Sequence, residues 1–386
     1  MRAWLVGLLA VLVLVVAAAL VMEGSDEAVS PETALAVSSL LGEGDDAGLS
    51  RADPDYRPVF PVDHGPHPDF RSEWWYFTGN LEDGDGRAFG FQFTIFRFAM
   101  DGETVDRSSR WATRQAWMAH LAVTDAAGQR FLKAERLARG GDLGLAGATH
   151  GPFRAWVGDW EMVSEGEAFL PLSLSADAED FGLRLHLLPG RGPVLQGEQG
   201  YSRKGPGEGN ASHYYSYTRL PAAGELQLAG EVVSVQGNAW LDREWGTSAL
   251  GPDVSGWDWF SLQFDDDTEL MYYQLRRDDG SADPLSSGSM TGPVLTPLRS
   301  SEVRLEPTRF WRSDATGIEY PVAWRMEIPS RNLVLDVDAV LDQQEMDVSV
   351  NYWEGAVVVS GTRDGRPLRG RGYLEMTGYD RNGLSP

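Results

Sequence analysis

Residues 89–98 have the sequence Phe-Gly-Phe-Gln-Phe-Thr-Ile-Phe-Arg-Phe, in which Phe91, Phe93 and Ile95 occupy alternate positions. This period of two places the three side chains on one face of an extended chain and is typical of a β-strand. Helical patterns are scarce, and residues 132–139 could make at most about two turns. Similar alternating runs, separated by Gly and Asp turns, predict further strands at 74–77, 118–124, 183–188, 226–235, 259–264 and 269–275, and a last hairpin of 356–360 with 373–376 around Asp364-Gly365.

The chain of 386 residues is too long for one ordinary core, so we expect two domains. Numerous strands joined by short turns indicate an all-β protein built from sandwiches or barrels. A barrel of about eight strands can enclose one small ligand, and two such barrels would account for the length. We place the boundary near Gln236-Gly237-Asn238, which gives an N-terminal domain at 59–237 and a C-terminal domain at 238–386.

The first 58 residues differ from the rest of the chain. Residues 3–22 form an apolar run after Arg2, and this run has the length of either a signal peptide or a membrane anchor. Residues 23–58 are rich in Ala, Ser, Gly and acidic residues, which predicts a disordered linker. The charges on either side of the run predict an extracytoplasmic body, periplasmic or secreted, that is tethered to the inner membrane if the run is retained.

Composition argues against several classes of function. The chain has no cysteine and therefore no thiol nucleophile, and its net charge of −24 disfavours binding to nucleic acid or to anionic lipid. It contains neither a Gly-x-Ser-x-Gly elbow nor a phosphate-binding glycine loop. His64 and His67 lie among Pro and Gly without a geometry that would aim both at a metal. We therefore expect no cofactor, no metal and no nucleic acid.

Two runs mix tryptophan with charged residues. Glu73-Trp74-Trp75-Tyr76 lies in the first, and Asp242-Arg243-Glu244-Trp245 is followed by Trp257-Asp258-Trp259 in the second. Packing alone needs no charges among the rings, because a buried unpaired charge is costly. The mixture is typical of an apolar cavity with a few polar groups, which predicts a hydrophobic small molecule as the partner. A seam between domains and an ordinary surface are the alternatives, and Asp242-Arg243-Glu244 could instead form an interlocked ion-pair network that joins the domains.

Alternation divides these residues between the two faces of each strand. His120 lies in an otherwise apolar strand and is a candidate general acid or base, with a hydrogen-bonded core histidine as the alternative. Residues that share a face are Glu73 with Trp75, Trp74 with Tyr76, Asp242 with Glu244, Arg243 with Trp245, Trp257 with Trp259, and Tyr272 with Gln274 and Arg276.

These residues resemble the AttH-like and carotenoid 1,2-hydratase (CrtC-type) lipocalin-like family. The resemblance implies two lipocalin-like antiparallel β-barrel domains and a large apolar pocket for an isoprenoid or acyl ligand. Members are often labelled secreted hydrolases, and the CrtC branch adds water to a carotenoid double bond. The blocks that carry the resemblance are Glu73–Gly79, Ala119-His120, Gln196–Lys204, Ser212–Ser216, Leu241–Gly246, Gly256–Phe260, Tyr352–Ala356 and Gly370–Tyr379.

The resemblance also bears on the catalytic groups. In the hydratase branch, acid–base work is associated with a His beside the Trp of the Asp-x-x-Trp-Gly block and with a downstream Asp near a Tyr. Arg243, and Gln274 near Tyr272, stand at those places here. Arginine cannot act as the acid, because its pKa stays above about 12. Asp242 or Glu244, with a pKa raised by burial, could take that role.

Two hypotheses follow from this reading. In the first, the protein binds a hydrophobic isoprenoid or acyl ligand between tryptophan walls and meets a polar head with Arg243 and Arg276. In the second, it is a hydratase or hydrolase that uses carboxylate acid catalysis. The candidate catalytic residues are Glu244, Asp242, His120 and Tyr272, and the candidate ligand-binding residues are Glu73, Trp74, Trp75, Tyr76, Arg243, Trp245, Trp257, Trp259, Gln274 and Arg276.

Overall fold

The computed structural model describes residues 46–100, 113–141, 143–207, 209–247, 250–251 and 253–380. The predicted export segment at 3–22 and most of the predicted linker lie outside the described residues. Within these ranges no helix has the length and apolarity needed to cross a bilayer. Short 3₁₀ helices lie at Val62–His64, Ser300–Glu302 and Pro329–Arg331.

Two antiparallel sheets make up the described structure. The first contains β1 (Ser72–Glu82), β2 (Ala88–Ala99), β3 (Gln115–Asp125), β4 (Arg130–Arg139), β5 (Ala146–Thr149), β6 (Arg154–Val157), β7 (Trp160–Ser164), β8 (Leu172–Asp177), β9 (Phe181–Leu187), β10 (Val194–Leu195), β11 (Tyr201–Arg203), β12 (Ala211–Leu228) and β13 (Glu231–Gly246). The second contains β14 (Val254–Phe264), β15 (Glu269–Arg277), β16 (Ser287–Thr291), β17 (Thr296–Arg299), β18 (Arg304–Arg312), β19 (Glu319–Ile328), β20 (Leu333–Ala339), β21 (Glu345–Asp347), β22 (Asn351–Arg363) and β23 (Arg366–Thr377).

The order of the strands brings the motif-bearing segments to the centre of each sheet. The first sheet runs β4-β3-β2-β1-β13-β12-β9-β8-β7-β6-β5, so the two tryptophan-rich strands β1 and β13 are neighbours. The second runs β17-β16-β15-β14-β23-β22-β20-β19-β18. One sheet curls into a nearly closed barrel and the other forms a half-barrel. The predicted all-β, lipocalin-like fold is confirmed.

Three local expectations differ from the structure. Residues 132–139 belong to strand β4 instead of a helix, because Leu132, Ala134 and Ala138 pack on the first core at even spacing. Residues 226–235 form two strands, since Ala229 and Gly230 take the positive φ angles of a two-residue hairpin turn. The boundary placed at 236–238 falls inside β13, and the chain leaves the first sheet only after Gly246.

The central strands of each sheet bury one face in their own core and turn the other toward the opposite sheet. Trp75 and Phe77 pack in the first core, and Phe260 and Leu262 pack in the second. The alternate residues of the same strands meet between the sheets. Gly90 marks a close approach of the two sheets, because a Cβ atom there would lie 2.6 Å from Ala356 Cβ. Two clusters fill this junction, one around Tyr76, Tyr214, Trp240, Trp259 and Tyr273, the other around Met118, Met346, Val350 and Tyr352.

Candidate functional site

A cavity of about 100 Å³ opens between the two sheets. It lies on the outward faces of the sheets and not inside either core. Most contributing strands supply residues two positions apart, because alternate side chains of a strand point the same way. The first sheet supplies Trp74, Tyr76, Phe96, Phe98, Met118, His120, Tyr214, Asp242 and Glu244, and the second supplies Trp257, Trp259, Tyr273, Leu275, Tyr352, Glu375 and Thr377.

Aromatic rings form most of the wall. The ring of Trp259 packs edge-on against Tyr76 at 5.2 Å and against Trp240 at 6.4 Å between centroids. Trp259 also donates its indole N–H to the Tyr214 hydroxyl at 3.2 Å. Such fixed, apolar walls suit a hydrophobic ligand, and ring faces can stabilise a positive charge.

Lys204 and Glu244 form a buried pair in this wall. The Lys204 ammonium contacts Glu244 Oε1, which also accepts a hydrogen bond from the Ser212 hydroxyl. Lys204 Nζ lies 5.9, 5.4 and 5.5 Å from the ring centroids of Trp74, Tyr214 and Tyr273. Burial lowers the pKa of the Lys204 amine to about 7, although the charges of Asp242 and Glu375 oppose this shift.

Asp242 lies on the same strand face and is held by three donors. Its carboxylate accepts hydrogen bonds from the Tyr214 hydroxyl, from Ser216 Oγ at 2.5 Å and from Trp240 Nε1 at 2.7 Å. Burial nevertheless raises the pKa of Asp242 to about 6. Asp242 is therefore a fixed group whose charge is sensitive to pH near neutrality.

Glu375 faces these groups from the second sheet. Its Oε1 accepts a hydrogen bond from Trp257 Nε1 at 2.6 Å. Burial, together with the charge of Asp242, raises the pKa of Glu375 to about 7, and the hydrogen bond from Trp257 only partly offsets this shift. Glu375 is therefore a carboxylic acid that keeps its proton in a large fraction of molecules at neutral pH.

A second glutamate lies directly beside Glu375. Glu354 on β22 is the cross-strand partner of Glu375 on β23 and is fully buried. Among the described residues neither of its carboxyl oxygens has a hydrogen-bond partner. Burial and the adjacent Glu375 raise the pKa of Glu354 well above its ordinary value. Two neighbouring buried carboxyls disfavour simultaneous ionisation, so the pair retains at least one proton.

His120 occupies another part of the cavity wall. Its Nδ1 lies 2.7 Å from the Tyr352 hydroxyl, and its Nε2 lies 3.0 Å from Glu135 Oε1. Both ring nitrogens therefore have partners, and the hydrogen bond to Tyr352 joins the two sheets.

Seven of the residues predicted from the sequence line the cavity: Trp74, Tyr76, His120, Asp242, Glu244, Trp257 and Trp259. The others lie elsewhere. Glu73, Trp75, Arg243 and Trp245 occupy the opposite face of β1 and β13, where Trp75 and Trp245 belong to the first core.

The charges on that opposite face form a closed ion-pair network. Glu73 is fully buried and contacts the guanidinium groups of both Arg97 and Arg243. Arg243 also donates to the Gly65 carbonyl at 2.7 Å and lies 4.1 Å from the Trp75 ring centroid. Burial opposes ionisation of Glu73, but the two arginines and His67 hold its pKa well below the ordinary value. Arg243 therefore belongs to an ion-pair network within the first sheet, which differs from the network of Asp242, Arg243 and Glu244 between domains that the alternative described.

The face of strand β15 that meets the cavity is not the one predicted from its sequence, which carries Tyr272, Gln274 and Arg276. Tyr272 packs in the second core, and Arg276 donates to Asp258 Oδ1 at 2.7 Å beneath Tyr379. Gln274 pairs in register with Asp258 and does not line the cavity. Tyr273 and Leu275 line it instead. The physical reason is that this cavity is more aromatic than polar, so the less polar face of β15 meets it.

The sequence interpretation missed Lys204 and Glu375. Lys204 lies just after β11 in a loop, where no periodicity assigns a direction to its side chain. Glu375 had a usable signal, because it is a lone carboxylate that alternates with Leu374 and Met376 in a strand. Within the described ranges, no group of three acidic or histidine side chains is arranged to hold a metal ion.

A family model described as AttH-like matches residues 51–379. The chain belongs to the AttH-like family. The crystal structure of a protein assigned as AttH from Nitrosomonas europaea is 38% identical, with a TM-score of 0.77, and the match covers 86% of this chain and 99% of that one. Kievitone hydratase from Nectria haematococca has the same fold, with a TM-score of 0.66 at 15% identity over 88% and 99% of the two chains.

Two curated relatives of this AttH-like protein match over shorter spans. Dehydratase asqC from Emericella nidulans is 24% identical over 205 residues, which is 48% of this chain and 54% of the relative. Kievitone hydratase from Fusarium solani subsp. phaseoli is 26% identical over 145 residues, 36% of this chain and 39% of the relative. The chain thus spans about half the length, or less, of the curated relatives that it matches.

Proposed function

We propose that this AttH-like protein adds water to, or removes water from, a hydrophobic small molecule held in the cavity between its sheets. The proposal depends on one observation: a carboxylic acid and a carboxylate–amine pair line the same aromatic cavity from opposite sheets. Glu375 projects from one sheet, and Glu244 with Lys204 from the other. The relatives named as a hydratase and a dehydratase support the same reaction class.

Glu375 is the proposed acid. A group that donates a proton works best when its pKa lies near the working pH, and Glu375 has a pKa of about 7. Glu354 lies beside it and holds a proton in the same buried pair. Positive charge that develops on the substrate would face the rings of Trp74, Trp257 and Trp259.

Glu244 is the proposed base. It would take a proton from the attacking water during hydration and return it during dehydration, while Lys204 keeps the carboxylate in place. Asp242 has its oxygens occupied by three donors, which suits it to an electrostatic role. In this proposal Glu375 is the acid, and Glu244, which the sequence suggested as an acid, acts as the base. We also propose that the reaction takes place outside the cytoplasm, with residues 3–22 as the export segment.

Incorporation of heavy oxygen tests the function. We expect the purified protein to convert kievitone, or one member of a panel of isoprenoid polyenes and tertiary alcohols, in H₂¹⁸O, with the product carrying ¹⁸O or having lost water by mass spectrometry. Heat-denatured protein is the control for spontaneous reaction. Saturable binding of panel members without any change in their mass would contradict the proposal and favour a binding protein.

A further inference from the structure

We propose that Lys204 forms a reversible Schiff base with a carbonyl group of the ligand, which makes hydrophobic unsaturated or β-hydroxy aldehydes and ketones the substrate class. This inference rests on the proposed function, because it uses the same cavity. Three kinds of observation support it: the residue type at position 204, the surroundings of its amine, and the chemistry available around it.

The residue type is unusual for this chain. Of 33 basic residues, only Lys133 and Lys204 are lysine. Other buried cations in the described part, such as Arg243 and Arg276, are arginines that pair with a carboxylate. A guanidinium stays protonated in proteins, whereas a buried amine can lose its proton and become a nucleophile. Lysine at the cavity wall therefore provides a reactivity that arginine would not.

Burial of the amine favours its neutral form, and this effect outweighs the opposing charges of the nearby carboxylates. The Lys204 side chain is only 11% exposed, and the residue lines the cavity. The titratable groups around it are Glu244 and Asp242 of β13, Glu375 of β23, and the phenols of Tyr214 and Tyr273. Burial lowers the pKa of this amine to about 7, so a fraction of the amine is neutral at neutral pH. Desolvation of this kind activates a lysine for attack on carbonyls.

The chemistry balances with the groups present. The neutral amine attacks the carbonyl carbon, the carbinolamine receives a proton on its oxygen from Glu375, and water leaves as the iminium forms. In an unsaturated substrate the iminium withdraws electrons, so water adds at the β-carbon as Glu244 takes its proton. Glu244 then returns that proton to the α-carbon. Hydrolysis of the iminium gives a proton back to Glu375, returns the amine and releases a β-hydroxy carbonyl compound. The net reaction adds one water molecule.

Reductive trapping tests the inference with citral, a hydrophobic unsaturated aldehyde. The full-length protein is incubated with citral and sodium cyanoborohydride at pH 7, and the adduct is located by peptide mass spectrometry. Lys133 is the internal control: it pairs with Asp347 and is 28% exposed, so accessibility alone would favour it. We expect at least tenfold more adduct on Lys204 than on Lys133, with an increase at Lys204 as the pH rises through about 7.

The variant Lys204→Arg keeps the positive charge and should abolish the adduct at that position while leaving the thermal unfolding temperature within a few degrees of wild type. Equal labelling of the two lysines, or no labelling of Lys204, would overturn the Schiff base. The ¹⁸O experiment, carried out without cyanoborohydride, tests the proposed function separately. If it succeeds while Lys204 is not labelled, the Schiff base is wrong but the proposed function remains supported.

Discussion

Replacement of Glu375 by glutamine is expected to lower the rate of water addition or elimination by about 10²- to 10⁴-fold, the usual contribution of a positioned general acid. The amide keeps the size of the side chain and an oxygen that can accept the 2.6 Å hydrogen bond from Trp257. It has no acidic proton to donate. Ligand affinity, measured by quenching of tryptophan fluorescence, should change little.

The matched control is Glu306→Gln, which removes an exposed carboxylate from strand β18. This variant should retain the wild-type rate. A Glu375→Gln protein that binds the ligand and turns it over at the rate of the Glu306→Gln protein would exclude Glu375 as the acid.

The second large effect concerns stability. Glu73→Gln should lower the free energy of unfolding by about 3–5 kcal/mol, because it leaves the fully buried guanidinium groups of Arg97 and Arg243 without their counter-charge. Urea denaturation measures the change. Glu82→Gln, at the far end of the same strand, removes a carboxylate that is 42% exposed beside Arg371 and should cost no more than about 1 kcal/mol.

The same network predicts a dependence on pH. The pKa of Glu73 is depressed in the folded protein, so its stabilising contribution is fully present above the ordinary glutamate pKa and is lost as the pH falls further. The difference in stability between wild type and Glu73→Gln should therefore shrink as the solution is made more acidic than about pH 4.5. If Glu73→Gln lowered the free energy of unfolding at pH 7 by no more than Glu82→Gln does, the two arginines would have found other partners.

Much of the fold was predictable because alternation is a local property. The separation of Trp74 and Tyr76 from Glu73 and Trp75 follows from the geometry of one strand, and the structure has the same division. The loss of the helical expectation at 132–139 has an equally local cause. Arg136 interrupts the inward apolar side of β4 and Leu137 is exposed on the other side, so the segment has no clean period of two.

The choice between the two faces was not predictable from one strand. Alternation states that Tyr272 and Tyr273 point in opposite directions, but it does not state which of them meets the other sheet. That depends on how the two sheets pack, a contact between distant segments of the chain. Lys204 shows the same limit more strongly, because a loop residue has no period at all.

The dense Asp242-Arg243-Glu244 motif serves both faces of one strand. Its even-numbered residues supply the cavity with carboxylates, and Arg243 closes the ion-pair network on the other side. We therefore expect stability and the proposed chemistry to be coupled through this strand. Glu244, the proposed base, lies next to Arg243, so the ion-pair network behind the strand helps to hold its position.

The central claim is that a protonated carboxylic acid faces the cavity at neutral pH. Infrared spectroscopy tests this claim most directly. The C=O band of a protonated carboxyl group that is present in wild type and absent from Glu375→Gln is assigned to Glu375. We predict that this band loses half its intensity near pH 7, because burial raises the pKa of Glu375 to about that value. A midpoint near 4.5, the ordinary value for glutamate, would contradict the account.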